Sequence, residues 1–336
     1  MAESKLLDYN IDKSGMILFG TKKFKKQIEE EMEKNPVIFC KAPMKIFKCE
    51  RYLGEYMGNS LPESVFQTIK RRKGLVSRLI SEIKVTLEDA RSDSVGGILV
   101  GLEIWTKAVC PYLFNNSSCW VEIPKKALDL LTSITHSFYR SLFLAPKGTP
   151  IFSFYWDTGL LLENNFLMKE KLLLVHHLSL LPDSALAKEA YLLQKEDKTL
   201  PGLVRECEEF LNILQINEDP SVYTKPMWKK KIHSAIHSKN KRELLAMLES
   251  YKKLDKEKLK QEDYGQKSYL KSMKMDSART FFSARASMLG TIKLTSRETP
   301  SLPQTTTSAS VRSMSTTKPT FLPAASMRGT GRALTS

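Results

Sequence analysis

The stretch Lys45–Gly58, KIFKCERYLGEYMG, marks the point at which the pattern of the chain changes. Its first half alternates apolar residues with lysines, as a half-buried strand does. Just beyond it, Ser60-Leu61-Pro62-Glu63 has the form of a capping box with a proline inside the helix start. We therefore predict that a region of short strands ends here and that a long helix follows.

Upstream of this point, short apolar runs alternate with turns. Met16–Phe19, between two glycines, predicts a buried strand, and Val37–Cys40 and Met44–Leu53 predict two more, joined by a loop that contains Pro43. Phe24–Asn35 predicts a charged helix. Strands so few and short do not form a stable sheet by themselves.

Downstream of Leu61, apolar residues recur at helical spacing. Val76, Ile80, Ile83 and Leu87 fall on one face of a long helix, which Gly96-Gly97 ends. Further helical segments are predicted at Leu99–Leu113, from Pro124 through Leu142, and at Phe166–Leu181, Leu203–Leu214, Trp228–Lys260 and Tyr264–Leu289. The predicted fold class is mainly α, with a small β-containing N-terminal part.

The composition changes abruptly after Thr299. Residues 301–336 are rich in Ser, Thr, Pro, Ala and Gly and contain no Asp, Glu, Cys or His. Such a segment buries too little apolar surface to offset its conformational entropy, so we predict a disordered tail. The predicted organisation is a region with short strands (1–58), a helical region (59–180), a basic helical region (181–295) and the tail (296–336).

The chain is strongly basic. Its 336 residues include 52 Lys and Arg against 37 Asp and Glu, a net charge of +15. Subtracting the four cations of the tail leaves +11 for residues 1–300. This imbalance suits a nucleic-acid or other anionic partner, although charge alone also fits a basic protein without such a partner.

Cysteine usage bears on the compartment. Five cysteines, an odd number with no close pairs, fit free thiols in a reducing environment. The N-terminal residues lack the apolar core of a signal peptide, and no run approaches the roughly 18 apolar residues of a membrane span. We expect a soluble intracellular protein of the cytoplasm or nucleus, with no membrane partner.

Motifs for catalysis and cofactors are missing from the sequence. It contains no GxxxxGK, GxGxxG, CxxC or HExxH pattern. His233 and His237 are four residues apart on one helical face, but they lie among lysines without a Cys or acidic ligand nearby. The acidic runs Glu29–Glu31 and Glu88-Asp89 lie on predicted helices and do not resemble a two-metal site. We predict neither a metal nor a cofactor.

Several short motifs occur in the order found in non-LTR (LINE-type) retrotransposon reverse transcriptases. Asn10-x-x-Lys13-Ser14, Ile17–Gly20 and Arg51–Gly54 resemble the end of the palm of these enzymes. Further motifs resemble the thumb of these enzymes and the linker that follows it. These motifs are Lys70–Gly74, Gly96–Ile98, Gly101–Trp105, Cys119-Trp120, Phe138–Arg140, Tyr155–Gly159, Leu200–Val204 and Tyr251–Leu254. Each motif is weak alone; their order over about residues 9–290 carries the resemblance.

The resemblance implies a turn that faces the primer. Tyr52, Leu53 and Gly54 would form it, with Gly54 allowing close approach of the backbone or a positive φ. In the alternative interpretation, Tyr52 and Leu53 only pack a strand against the thumb. Lys13 matches a late-palm lysine near the incoming nucleotide, and we expect it to be idle in this chain.

The resemblance also places a basic helix beside the primer–template duplex. Lys70 and Lys73 share a helical face, and Arg71 and Arg72 flank it. Facing a duplex, these four side chains would neutralise phosphates without reading sequence. The alternative is a solvated helix face, which we favour for the second basic run, Lys229–Lys231.

The sequence departs from the family at both ends. The fingers and the Asp-Asp palm hairpin should precede residue 9, and many relatives carry a Cys/His zinc knuckle where the tail stands here. We therefore expect a truncated, catalytically inactive reverse-transcriptase fragment that binds RNA or DNA backbones, with the remaining reverse-transcriptase parts as a candidate partner in trans. The alternative is a helical scaffold that binds proteins and has no nucleic-acid role.

Overall fold

The change predicted near Leu61 separates a region of short strands from a series of long helices. The computed structural model describes residues 14–39, 42–52, 54–89, 95–197, 202–252, 254 and 256–286, all of which belong to one compact unit. The named strands all lie before residue 59, and helices dominate the remainder. The prediction of a mainly α chain with a small β-containing N-terminal part is confirmed. The predicted tail lies outside the described residues.

The N-terminal strands form three separate two-stranded ladders. Their bounds are β1 Gly15–Ile17, β2 Ile38–Phe39, β3 Ala42–Pro43, β4 Lys45–Phe47, β5 Cys49–Tyr52 and β6 Glu55–Gly58, with helix α1 at Lys22–Lys34. β1 runs parallel to β4, whereas β2–β3 and β5–β6 are antiparallel pairs. Pro43 pairs with Ile38 rather than lying in a loop. The predicted burial of the first strand is wrong, because its residues are at most half-buried and Phe19 beyond it is 56% exposed.

Helices follow one another with short connections. Their bounds are α2 Leu61–Asp89, α3 Gly97–Ile104, α4 Cys110–Leu113, α5 Lys125–Phe143, α6 Ile151–Thr158, α7 Glu163–Ser179, α8 Leu186–Glu196, α9 Leu203–Ile213, α10 Lys225–Ser250, α11 Lys256–Gln261, α12 Tyr269–Ser272 and α13 Met275–Arg285. The helix predicted to span Trp228–Lys260 ends early, at Ser250. Tyr251 has an extended backbone there, and its hydroxyl accepts a hydrogen bond from the Ile151 N–H at 3.3 Å.

Pro111 lies within the helical segment predicted at Leu99–Leu113 and does not stop it. A π-helical turn at Trp105–Val109 joins α3 to α4, and the Cys110 N–H donates to the Trp105 carbonyl. A proline inside an α-helix lacks a hydrogen bond and crowds the preceding turn. The wider π turn directly before Pro111 accommodates that disruption, so the chain continues as a helix to Leu113.

The start of α2 differs from the predicted capping box. Glu63 does not turn back to the first residues of the helix. Its carboxylate accepts hydrogen bonds from the Gln67 amide at 2.6 Å and the Lys126 ammonium at 2.8 Å. Glu63 therefore joins α2 to α5.

Two hydrophobic cores lie along the helical region. The first is built on α2, α3, α5, α6, the C-terminal half of α10 and the elements after it; the second is built on α7, α8, α9 and the N-terminal half of α10. Trp228, fully buried, lies in the second core and donates to the Leu172 carbonyl at 3.1 Å. Residues on both sides of position 180 contribute to both cores. None of the helices in the described part of the chain is both long and apolar enough to cross a bilayer.

A partly buried ionic cluster joins α13 to the first core. The guanidinium of Arg285 donates to both oxygens of Asp157, each at 3.0 Å, and to both oxygens of Glu262 at 2.5 and 2.9 Å. Asp157 is 2% exposed and also accepts from the Tyr269 hydroxyl at 2.8 Å. Asp157, quoted in the sequence as part of Tyr155–Gly159, therefore has a structural role.

This cluster predicts a pH dependence of stability. The hydrogen bond from Arg285 lowers the pKa of Glu262 from 4.5 to about 2. A carboxyl group whose pKa is lower in the folded state than in the unfolded state stabilises the fold at pH values above its unfolded-state pKa. This stabilisation is lost as the pH falls through the folded-state pKa. The contribution should therefore be complete above about pH 5 and disappear between pH 4.5 and 2.

We expect Glu262→Gln to lower the free energy of unfolding by about 1–2 kcal/mol at pH 6, less than the pKa shift alone would give, because solvent screens the Glu262 side chain. Urea unfolding of the variant and the wild type at pH 6, 4 and 3 measures this difference. It should shrink as the pH falls; a difference that grows or stays constant would contradict the assignment.

Candidate nucleic-acid interface

The β5–β6 hairpin contains the predicted primer-facing turn. Tyr52, at the end of β5, pairs with Glu55, at the start of β6, and Gly54 directly precedes Glu55. Gly54 has φ of +92°, in the region that favours glycine, so one of the two expected reasons for this glycine is confirmed. Tyr52 is 62% exposed, so its side chain does not pack closely against α2 as the alternative interpretation required. Leu53 and Lys13 lie outside the described residues.

The hairpin is fixed against the first turns of α2. The Tyr56 N–H donates to the Thr68 hydroxyl at 2.8 Å. At Gly58, an added Cβ would lie only 2.7 Å from the Lys48 carbonyl oxygen, so this strand end requires glycine. The Glu55 carboxylate binds Arg72. The side of α2 that carries Thr68 and Arg72 is therefore the side facing the hairpin.

Arg72 is a structural residue and not a phosphate ligand. It is 3% exposed, and its guanidinium donates to the Leu113 and Asn115 carbonyls at 3.1 and 2.8 Å and to Glu55. The same guanidinium lies over the Trp120 ring, 5.4 Å from its centre. The prediction that Arg72 faces a duplex is therefore wrong, because all of these partners hold its charge inside the protein.

The other three residues of the run reach solvent. Lys70 and Lys73 are exposed and Arg71 is half-buried. Each helical residue advances by 100°, so Lys70 lies about 200° round α2 from Thr68, away from the hairpin. The structure therefore separates the two lysines from the Tyr52–Gly54 turn, and the predicted site is divided between two sides of one helix.

The exposed surface of α2 is basic over about three turns. Residues 70–81 include no carboxylate, and no described carboxylate forms an ion pair with Lys70, Arg71, Lys73 or Arg78. Arg78, which the sequence prediction omitted, is exposed and lies two turns beyond Arg71. The spacing of seven residues was a signal that could have identified it. We call Lys70, Arg71, Lys73, Gly74 and Arg78 the basic face of α2.

Gly74 stands in the middle of this face without a packing reason. A Cβ added there would meet no atom within 4 Å. Glycine in a helix interior costs about 1 kcal/mol relative to alanine. No neighbouring atom of the described chain requires the missing side chain, so packing within these residues does not explain the glycine.

The second basic run, Lys229–Lys231, and the histidine pair, His233 and His237, have fewer features of a binding site than the basic face of α2. Lys231 is held by Glu218 at 2.6 Å and by the Tyr223 hydroxyl at 2.7 Å, whereas Lys229 and Lys230 are exposed. The ring of His237 lies against Tyr264, with ring centres 4.5 Å apart. Within the described ranges, no group of three His, Cys, Asp or Glu side chains could hold a metal ion.

Comparisons with protein-family models, with curated proteins and with solved structures gave no match.

Proposed function

We propose that this chain is a catalytically inactive, reverse-transcriptase-like thumb and linker that binds RNA or DNA through backbone phosphates. The observation that carries the proposal is the basic face of α2, with exposed cations on either side of an unexplained glycine. The order of motifs along the sequence gives the reverse-transcriptase resemblance. The partner is a nucleic-acid backbone, with other reverse-transcriptase parts as a further partner.

The chemistry of the basic face suits phosphates rather than bases. Lysine and arginine bind phosphate oxygens, and the counterions released on contact favour binding to any sequence. Without a Cβ at Gly74, a sugar–phosphate strand can approach the helix backbone between Lys70 and Arg78. The expected binding is therefore independent of sequence.

We propose that the chain does not add nucleotides. Two-metal nucleotidyl transfer requires clustered carboxylates, and the sequence provides no counterpart of the Asp-Asp hairpin. A primer-extension assay with the full chain, Mg²⁺ and deoxynucleotides tests this. Incorporation of nucleotides would overturn the proposal.

A protein-binding scaffold is the second candidate, and one observation favours it. Large apolar side chains before residue 62 are between 45% and 62% exposed, which is a common property of protein interaction sites. These are Phe19, Phe24, Val37, Ile38, Tyr52, Met57 and Leu61. Such a surface would bind a partner through apolar contacts and not through the basic face.

Ionic strength separates the two candidates. A chain that contacts several phosphates should lose affinity for a 20-base-pair duplex steeply between 50 and 200 mM NaCl, by about tenfold or more. An apolar interface changes little over this range. Fluorescence anisotropy with the full chain measures the effect. Duplex binding that does not weaken with salt would contradict phosphate binding and favour the scaffold.

Substitution of Gly74 by alanine should change stability and binding in opposite directions. We expect the free energy of unfolding to rise by up to about 1 kcal/mol, because alanine favours the helix and meets no neighbour. Affinity for a duplex should fall, because the added methyl group keeps the strand away from α2. Ser137→Ala, a small change on an exposed residue of α5 outside the basic face, is the control. Unchanged duplex affinity in Gly74→Ala would contradict close approach at this position.

A further inference from the structure

A cavity of about 620 Å³ lies among α4, α5, α7 and the π-helical turn. This volume is in the range that holds a small organic molecule. None of the residues in the predicted site lines it. The proposed phosphate contacts therefore do not account for the cavity.

Four aromatic side chains are among the residues that line it. Trp105, Phe114, Tyr139 and Phe166 line the cavity, and the Phe114 and Phe166 rings lie 4.5 Å apart, centre to centre. Flat aromatic walls bind flat aromatic ligands by stacking and exclude water from them.

One buried hydroxyl group in this wall has no partner. Ser117 is 1% exposed, and its hydroxyl makes no hydrogen bond to the described protein. Tyr139 is fully buried, and its hydroxyl lies beside that of Thr158, which itself donates to the Phe154 carbonyl at 2.7 Å. A buried polar group without a partner is costly, and in native proteins it commonly marks a place for water or a ligand.

A carboxyl group completes the polar part of the wall. Glu163 is 5% exposed and accepts from the Tyr155 hydroxyl at 2.6 Å. Burial raises its pKa, which disfavours a charged carboxylate and therefore a cationic ligand. With the Ser117 and Tyr139 hydroxyls, it presents donors and acceptors suited to the edge of a neutral planar ring.

We propose that this cavity binds a nucleobase, either in a free nucleoside or in a base unstacked from a single strand. Bases are recognised in proteins by aromatic stacking combined with hydrogen bonds to their edges, and this wall supplies both. The π-helical turn at Trp105–Val109 forms one side of the cavity, and such turns are common at functional sites. The choice of a nucleobase over another planar heteroaromatic ring rests on the proposed nucleic-acid function.

Uncharged nucleosides test the cavity separately from phosphate binding. Calorimetric titration of the full chain with adenosine, guanosine, cytidine and uridine should give, for at least one of them, a Kd on the order of 0.1 mM. Tyr139→Phe and Ser117→Ala should each lower the affinity for that nucleoside about fivefold to tenfold. Ser137→Ala, on an exposed part of α5, should leave it unchanged.

Ser117→Ala removes a hydroxyl that has no partner in the described protein, so the variant should keep the thermal unfolding temperature of the wild type. A loss of nucleoside binding in a variant of normal stability therefore reports the cavity. Replacement of Lys70 and Lys73 by neutral residues should lower the affinity for nucleic-acid strands but not the affinity for nucleosides. This difference separates the present proposal from the function on which it rests.

Binding of a single-stranded oligonucleotide in 0.5 M NaCl, where phosphate contacts contribute little, shows whether the bound base comes from a strand or from a free nucleoside. If a base of a strand occupies the cavity, one abasic site should lower the affinity for a short oligonucleotide. If only free nucleosides enter the cavity, the abasic site should leave that affinity unchanged. Absence of binding by all four nucleosides at 5 mM, or wild-type affinity in both hydroxyl variants, would overturn the proposal.

Discussion

Replacement of Arg72 by alanine is expected to lower the free energy of unfolding by about 3–5 kcal/mol. The substitution removes a buried cation that binds the Glu55 carboxylate and two backbone carbonyls. Glu55, whose side chain is 18% exposed, would keep its charge without a partner, and the Leu113 and Asn115 carbonyls would lose their donor. Leaving such groups unsatisfied costs more than the net value of the original contacts.

The neighbouring residue provides a matched control. Arg71→Ala removes the same side chain from a half-buried position with no ion pair to a described carboxylate, and it should change stability by about 0.5 kcal/mol or less. Urea unfolding of both variants measures the contrast. Equal destabilisation by the two substitutions would contradict the structural role of Arg72.

Charge reversal of Lys70 and Lys73 is expected to weaken duplex binding by about 10- to 100-fold at 100 mM NaCl. Both side chains are exposed, and two phosphate contacts would become two repulsions. The free energy of unfolding should change little, because neither lysine has an ion pair with a described carboxylate. Fluorescence anisotropy with one labelled duplex measures the affinity.

The chain offers a control with the same change in total charge. Lys229→Glu with Lys230→Glu reverses two exposed lysines on α10, in the run where we favour a solvated face. This variant should retain affinity within about threefold, since only long-range charge is altered. Similar losses in both double variants would show that net charge, and not the basic face of α2, governs binding.

Periodicity was sufficient to predict most of the helices. Val76 and Ile80 lie in the first core as their spacing predicted, and Ile232 and Ile236 lie in the second. Local pattern failed where a distant partner sets the structure. The helix end at Tyr251 accompanies a contact with Ile151, 100 residues away, and Glu63 is drawn from its expected cap by Lys126.

The candidate site shows the same limit. In the sequence, Arg71 and Arg72 are equivalent members of one basic run. Their roles differ because one points towards the hairpin and the carbonyls after α4, and a run of four cations does not reveal which of them is buried. The Asp157–Arg285 pair, 128 residues apart, left no local signal. By contrast, the positive φ at Gly54 was predictable from its place in a hairpin.

The most direct test of the account is the salt dependence of duplex binding in the neutral variant Lys70→Gln with Lys73→Gln. Each phosphate contact contributes about 0.9 to the slope of log K against log salt concentration. If both lysines bind phosphates, the slope should become shallower by about 1.8 relative to the wild type. An unchanged slope would show that phosphates bind elsewhere and would contradict the assignment of the basic face of α2.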